Sequence, residues 1–457
     1  MAISSVGAGS GILTQDVLDQ LRKADEAQLI TPITFSLANE GDKKDALELI
    51  DANMTNLIDS INAINSFGLY DERSSTVTGS SVSVSATANT DIQDFTLNVT
   101  NLATKQIEQS GAFMSKTETI ANGPGSMNLN IDGLDFAIDY DENTTLDDLK
   151  NLINTQAGDK VNATVVQINS GEFRLFISSV GTGTTQDITL TDDSAQLKDT
   201  RLTTGLTAIQ TGVDANFTFN GQAITRSSNQ VDDLITGLSI ALKEVGASTV
   251  SIEQDRENIM AKFDSFVGKY NAAITELDKM TKSSVNNTER GIFSSESTIK
   301  GMKSTIENMI SSIGGGAGSI FEYGFDVDKD GKLSLDKDML NTQLDTNTNN
   351  VEAFFAGGMF TKPDATTVEL TGAFNEIAKA IEGYTNYNAT LDQFKNSITS
   401  KISELEDRKT SATERLDSRY EILKQRFIAY DLIINRLNST SSIFTQLANA
   451  QTAAANQ

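Results

Sequence analysis

No cysteine, histidine or tryptophan occurs in the 457 residues, and proline occurs only at Pro32, Pro124 and Pro363. Without cysteine there are no disulfides, no thiolate chemistry and no cysteine-built structural zinc site. Without histidine, the commonest general base and metal ligand is missing. The lack of tryptophan, with aromatics at 6%, argues against a sugar cleft built on ring stacking. An enzyme would have to work with carboxylates, lysines or tyrosines alone, and the expectation is that this is not an enzyme. Bases are also scarce: 36 Lys and Arg stand against 62 Asp and Glu, a formal charge of −26. A nucleic-acid binder must supply cations to displace phosphate counterions, and an anionic membrane surface makes the same demand. Neither partner is expected. No apolar run approaches the ~20 residues that a membrane span needs. The start, MAISSVGAGSGI, has neither a basic opening nor an apolar centre, so it is not expected to be a Sec-type signal peptide.

What the chain does have is periodicity, and it changes along the length. Residues 14–29 carry Val17, Leu18, Leu21, Ala24 and Leu29 on one expected helix face, with Thr14 or Asp16 as cap. Residues 46–67 repeat apolar side chains at Leu47, Ile50, Met54, Leu57, Ile61 and Ile64, the alternating steps of three and four that make a heptad seam. From about 76 to 253 the period falls to two. MNLNIDGLDFAIDY predicts a hairpin turning at Asp132-Gly133, where a type I′ turn needs positive φ. Further hairpins are expected at Asn169-Ser170-Gly171 and at Asn220-Gly221, and TTLDDLKNLINT reads as one short helix capped by Thr145. Between 80 and 250 there are 21 acids and 9 bases, a net of −12 that this middle section must show to solvent.

Helical spacing returns at 257–282 (Ile259, Phe263, Phe266, Tyr270, Ile274, Leu277) and at 295–313, before Gly314-Gly315-Gly316. The longest pattern is 394–437, with its seam at Ile398, Ile402, Leu405, Lys409, Ala412, Leu416, Tyr420, Leu423, Phe427, Tyr430, Ile434 and Leu437. One extra step of four, at 416 to 420, is a stutter that locally unwinds a supercoil. A helix of ~40 residues is ~60 Å long, too long to bury in a small domain. It needs the N-terminal helix, a neighbouring subunit, or both.

Asp326, Asp328, Asp330 and Gly331 match the front of an EF-hand calcium loop, but Lys337 stands where the bidentate Glu should be. Phe325 and Val327 before the turn, with Leu333 and Leu335 after it, read instead as a hairpin that depends on Gly331 and not on Asp328. The chain has no P-loop, Gly-x-Gly-x-x-Gly or Gly-x-Ser-x-Gly motif. No cofactor, metal ligand or catalytic residue is assigned.

In order along the chain, several segments resemble the flagellar hook-associated protein 2 family, the filament cap proteins. VGAGSGILTQDVLDQLRKADEAQLITPI is similar to the family's opening, and DFTLNVTNLATKQIEQSGAF to its first β segment. FNGQAITRSSNQVDDLITGLSIALKEVG resembles the end of its β region. FVGKYNAAITELDKMTK, GFDVDKDGKLSLDKDML and RFIAYDLIINRLNSTSSIFTQLANAQ resemble its core helix, the following hairpin and its C-terminus.

Taken with the periodicity, the resemblance implies an α+β multidomain chain with terminal helices in a coiled-coil-like stalk, a mainly helical core domain and antiparallel β-rich head domains. In that division 1–45 pairs with 400–457 as stalk, and 46–75 with 254–399 as core, with the hairpin at 325–335. Residues 76–113 and 206–253 form one head domain, into which 114–205 is inserted. The resemblance further implies secretion through the flagellar export apparatus to the extracellular filament tip. There a homo-oligomeric ring, pentameric by preference over tetrameric or hexameric, would retain exported flagellin and promote its folding and insertion. The other implied partners are the hook–filament junction protein and an export chaperone at the C-terminus. The residues expected to pack in the oligomer or filament are Ile12, Leu13, Val17, Leu18, Leu21, Leu423, Phe427, Ile434 and Leu437. Two alternatives stand beside this reading: a secreted adhesin whose β head binds a host surface or mucin, and a surface protein that binds calcium weakly.

Overall fold

The computed structural model describes residues 14–284, 290–312 and 317–455. Among these are eight α-helices: α1 Gln15–Leu29, α2 Thr31–Ile64, α3 Leu146–Gln156, α4 Arg256–Thr281, α5 Ser297–Ser312, α6 Lys337–Phe355, α7 Ala373–Thr385 and α8 Thr390–Ala455. The strands are antiparallel throughout the described pairs, and two compact units result, one of Phe67–Ile259 and one of the residues on either side of it. The mixed α+β class is therefore as the periodicity indicates.

The helical unit is organised by side chains at the expected positions. α2 buries Leu47, Ile50, Met54, Leu57, Ile61 and Ile64 completely or nearly so, against α7 and α8. α4 buries Phe263 and Phe266 into a ring cluster with Phe325, Phe355 and Phe374. The Phe266 and Phe374 centroids are 4.4 Å apart, and Phe355 and Phe374 are 4.9 Å apart. Such pairs contribute roughly 0.5–1.5 kcal/mol each beyond the area they bury.

Three features differ from the sequence reading. The helix expected over 46–67 starts at Thr31, so the boundary at 45/46 falls inside α2. The reason is that Pro32 sits in the first turn, where its missing N–H costs nothing, and Gly41 alone, worth about 1 kcal/mol, does not break so long a helix. The boundary at 399/400 likewise falls inside α8, which runs 66 residues, about 100 Å at 1.5 Å per residue. Within 254–399 the sequence reading omitted α6, α7 and the hairpin Gly358–Thr361 with Thr367–Leu370.

The β-rich unit holds two apolar cores. In the first, five strands lie in the order Arg73–Thr78, Gly246–Gln254, Gln93–Asn101, Ala215–Phe219 and Gln222–Arg226, beside a three-stranded sheet. Strict alternation places Phe95, Leu97 and Val99 inside, between the exposed Asp94, Thr96, Asn98 and Thr100. The second core joins a four-stranded and a three-stranded sheet to α3, burying Met127, Leu129, Ile131, Leu149, Ile153, Leu175 and Ile177.

Turn chemistry matches the sequence. Asp132 and Gly133 take φ of 53° and 71°, and Asn220 and Gly221 take 47° and 83°, the double positive φ of type I′ turns. Thr145 caps α3 through a reciprocal box: its Oγ1 accepts from the Asp148 N–H at 3.2 Å, and the Asp148 carboxylate accepts from the Thr145 N–H at 3.1 Å.

Candidate assembly interface

The acidic hairpin at 325–335 forms as a hairpin, with Phe325 opposite Leu335 and Val327 opposite Leu333. Gly331 has φ 79°. Asp328 has a part the sequence reading denied it. Its Oδ1 accepts from the Asp330 N–H at 2.9 Å and the Lys332 N–H at 2.8 Å, closing the turn, while Lys329 pairs with Asp330. These hydrogen bonds, chiefly that from Lys332, hold the Asp328 carboxyl below its ordinary range. Among the described residues no group of three or more acidic side chains is placed to hold a metal ion.

The functional interest lies in the terminal helices. α1 docks on α8 through a small apolar cluster edged by polar pairs. Leu18 is its one buried residue, in a cluster with Ile30, Ala412, Leu416 and Tyr420 and with the half-buried Ile33, Leu423 and Phe427. Around this cluster Arg22 pairs with Asp417. The Tyr420 hydroxyl donates to Asp25 Oδ2 at 3.0 Å, and Arg419 approaches the same oxygen at 3.2 Å. Burial and the Asp25 carboxylate hold the Tyr420 phenol above its ordinary range. The groove beside this contact, about 840 Å³, is open, and half of its lining side chains are charged. It is too open for the enclosed apolar wall that a small-molecule site requires.

Of the residues singled out from sequence, Leu18, Leu423 and Phe427 therefore meet in one cluster within the chain. Val17 and Leu21 do not: they are 37% and 47% exposed and lie outside that cluster. The single apolar face read over 14–29 is split because the polar partners Arg22 and Asp25, four and seven residues after Leu18, set the docking side. Ile434 is half-buried and Leu437 is 63% exposed. Ile12 and Leu13 lie outside the described residues, as does Gly314-Gly315-Gly316.

Beyond Phe427 most of the exposed apolar residues of α8 follow one register, with Leu432 and Ile443, 45% and 56% exposed, lying beside it. Tyr430, Ile433, Leu437, Phe444 and Leu447 recur at heptad spacing, with Thr440 filling the sixth position. All five apolar members are more than half exposed. Such a stripe is the kind of surface that marks an interaction site. The steps of three and four in the sequence carry this signal, but spacing alone runs it together with the seam through Ile434 and Leu437.

Comparison with known proteins agrees with this architecture. Residues 10–106 match the family described as flagellar hook-associated protein 2 N-terminus, and residues 212–439 match flagellar hook-associated protein 2 C-terminus. The flagellar hook-associated protein 2 of Aeromonas caviae is 24% identical over 98% of this chain and 98% of its own length. That of Escherichia coli K12 is 25% identical over 97% and 98%. The crystal structure of the flagellar cap protein FliD D1-D2-D3 domains from Escherichia coli matches the fold with a TM-score of 0.60 at 21% identity, covering 78% of this chain and 99% of that one. The second β core fills the stretch between the two family matches. With both ends of the family matched in order and full-length relatives on either measure of coverage, the chain belongs to the flagellar hook-associated protein 2 family.

Proposed function

We propose that this protein is a structural cap at the distal, extracellular end of the flagellar filament, where a ring of copies retains exported flagellin and promotes its folding and insertion. The observation that carries the proposal is the exposed heptad stripe of Tyr430 to Leu447 on α8, in a chain whose family is that of hook-associated proteins. A monomer gains nothing from an uncovered apolar seam of this length, whereas an assembly buries it.

The proposed stalk consists of α1, the first turns of α2 and α8 beyond about residue 400. The proposed packing residues are Val17, Leu18, Leu21, Leu423, Phe427, Ile434 and Leu437, with Ile12 and Leu13 ahead of them. Self-association, with five copies in the ring, and contact with flagellin are the central interactions. The hook–filament junction protein and an export chaperone at the C-terminus are further partners, and the route out is the flagellar export apparatus. No catalytic residue takes part: the mechanism is steric closure, with apolar seams exchanging partners as each flagellin enters. The full-length likeness to hook-associated proteins favours capping over adhesion.

The test is complementation. A strain lacking its cap gene and expressing this chain should recover filaments, with little monomeric flagellin in the medium, and the purified protein should form rings in electron micrographs. Continued loss of flagellin with normal export of this chain refutes the proposal.

A further inference from the structure

The two cores of the β-rich unit are joined by two chain segments only, 102–106 on the way into the second core and 211–214 on the way back. A pair of short crossing segments leaves domains free to move by default. Here the crossing is covered by a four-residue loop of the second core, Gly181-Thr182-Gly183-Thr184, which bonds residues of the first core and of both crossing segments. The Thr182 hydroxyl donates to the Ser227 carbonyl at 2.6 Å. The Gly183 N–H donates to the Thr104 carbonyl at 3.0 Å. The Thr184 N–H and hydroxyl donate to the two Asp214 carboxylate oxygens at 2.8 and 3.0 Å.

The crossing segments are stapled as well. Gln106 Oε1 accepts from the Gly212 N–H at 2.7 Å, and the Asn229 amide takes both the N–H and the carbonyl of Ala103, at 2.8 and 2.9 Å. The fit leaves no space: a Cβ on Gly183 would lie 2.7 Å from Ser227 Cβ and 2.8 Å from Asp214 Oδ1, and one on Gly212 would lie 2.5 Å from the Gly183 carbonyl oxygen. Gly183 also has φ 108°, a conformation that other residues rarely adopt.

We infer that residues 181–184 clasp the two β cores into one rigid body, so that a displacement of one core carries the other with it. The β-rich unit then works as a single lever and not as two hinged modules, whatever surface it presses on. The reading stands independently of the capping role.

The absence of cysteine makes the test clean, because two introduced cysteines are the only sites for spin labels. Met114→Cys in the second core and Val245→Cys in the first replace residues that are 80% and 64% exposed. In the full-length protein, electron–electron double resonance should give one narrow distance population. Adding Gly183→Val with Asp214→Ala should broaden it at least about twofold, while circular dichroism keeps its strand signal. A broad distribution in the parent, or an equally narrow one in the clasp variant, overturns the inference. A second measurement needs no clasp variant. The Gly183 and Thr184 amides of the parent should exchange with solvent as slowly as the interior amides of Leu97 and Ile177, about 1,000-fold or more below the free rate. Exchange at loop rates overturns the clasp.

Discussion

Leu416 and Leu437 lie on one helix, twenty-one residues apart, and the structure gives them opposite assignments. Leu416 is 2% exposed among Leu18, Ile30, Ala412 and Tyr420. Truncating it to alanine removes buried side-chain volume from a small cluster. The half-buried Ile33, Leu423 and Phe427 at its border can relax into the space, so the cost falls at the lower end of the usual range, about 2–3 kcal/mol. At roughly 2–4 °C per kcal/mol for a unit of this size, Leu416→Ala should lower the melting temperature of the helical unit by about 5–10 °C. Leu437, 63% exposed, has little transfer energy to lose, and alanine is the better helix former. Leu437→Ala should change monomer stability by less than about 0.5 kcal/mol. In an assembled seam, however, Leu437→Asp buries an unpaired carboxylate at about 2 kcal/mol or more per contact, and the filament should suffer. Scanning calorimetry of the purified monomers reads the first pair of numbers. Filament length in a complemented cap-deletion strain reads the last. Equal melting losses for Leu416→Ala and Leu437→Ala would refute the division of α8 into a covered and an uncovered half. Full-length filaments with Leu437→Asp would refute the role of its exposed stripe.

Three further expectations follow from individual contacts. Thr145→Ala removes one arm of the box at the start of α3 and should cost the second β core about 1 kcal/mol, read from its urea midpoint, with Thr145→Ser restoring most of it. Asp328→Ala should loosen the 325–335 turn, read as faster amide exchange at Asp330 and Lys332, because those two backbone N–H groups lose their acceptor, and Asp328→Asn should recover part of the protection in calcium-free buffer. Burial, with the hydrogen bond it donates to Asp192 at 2.6 Å, pushes the Tyr140 phenol from 10.0 up to about 12. A raised folded value means stability that is complete below the unfolded value and lost as pH climbs through the folded one. Unfolding followed between about pH 9 and 12 should therefore show a decline that Tyr140→Phe reduces, the remainder coming from Tyr270, Tyr323 and Tyr420, whose phenols burial also raises.

The β-rich unit was legible because its signals are local. Asp132-Gly133 and Asn220-Gly221 fix two hairpins through backbone geometry alone, and the period of two in Gln93–Asn101 fixes which side chains face inward. Thr145 and Asp148 announce the start of α3 within four residues. What escaped was set by longer reach. α6 contains Asn347 at φ −164° and ψ 93°, where the Asn347 side chain accepts from the Asn350 N–H and restarts the helix. The polar run around it hides the helical period. α7 has a clear apolar face in Phe374, Ile377 and Ile381, but its meaning depends on Phe263, Phe266 and Phe355, which lie up to 111 positions away and meet Phe374 only in the fold.

The terminal helices show why a site of this kind resists reading from one chain. An enzyme's site leaves residues whose chemistry is improbable elsewhere, a histidine beside a nucleophile or a cluster of ligands. An assembly seam is made of leucine, isoleucine and phenylalanine, the residues that also make cores, and its periodicity is that of any amphipathic helix. Leu416 and Leu437 satisfy the same spacing rule, and only coverage separates them. The direction of α1 is decided by Arg22 meeting Asp417 and by Asp25 meeting Tyr420 and Arg419, pairs nearly four hundred residues apart. Those polar contacts lie on the face of α1 that carries Leu18, while Val17 and Leu21 stay exposed. Exposed ion pairs of this sort contribute little energy, so the small apolar cluster around Leu18 and Leu416 carries most of the contact. With Val17 and Leu21 left exposed and only a small cluster covered, α1 keeps apolar surface for a second partner, as the proposed assembly requires.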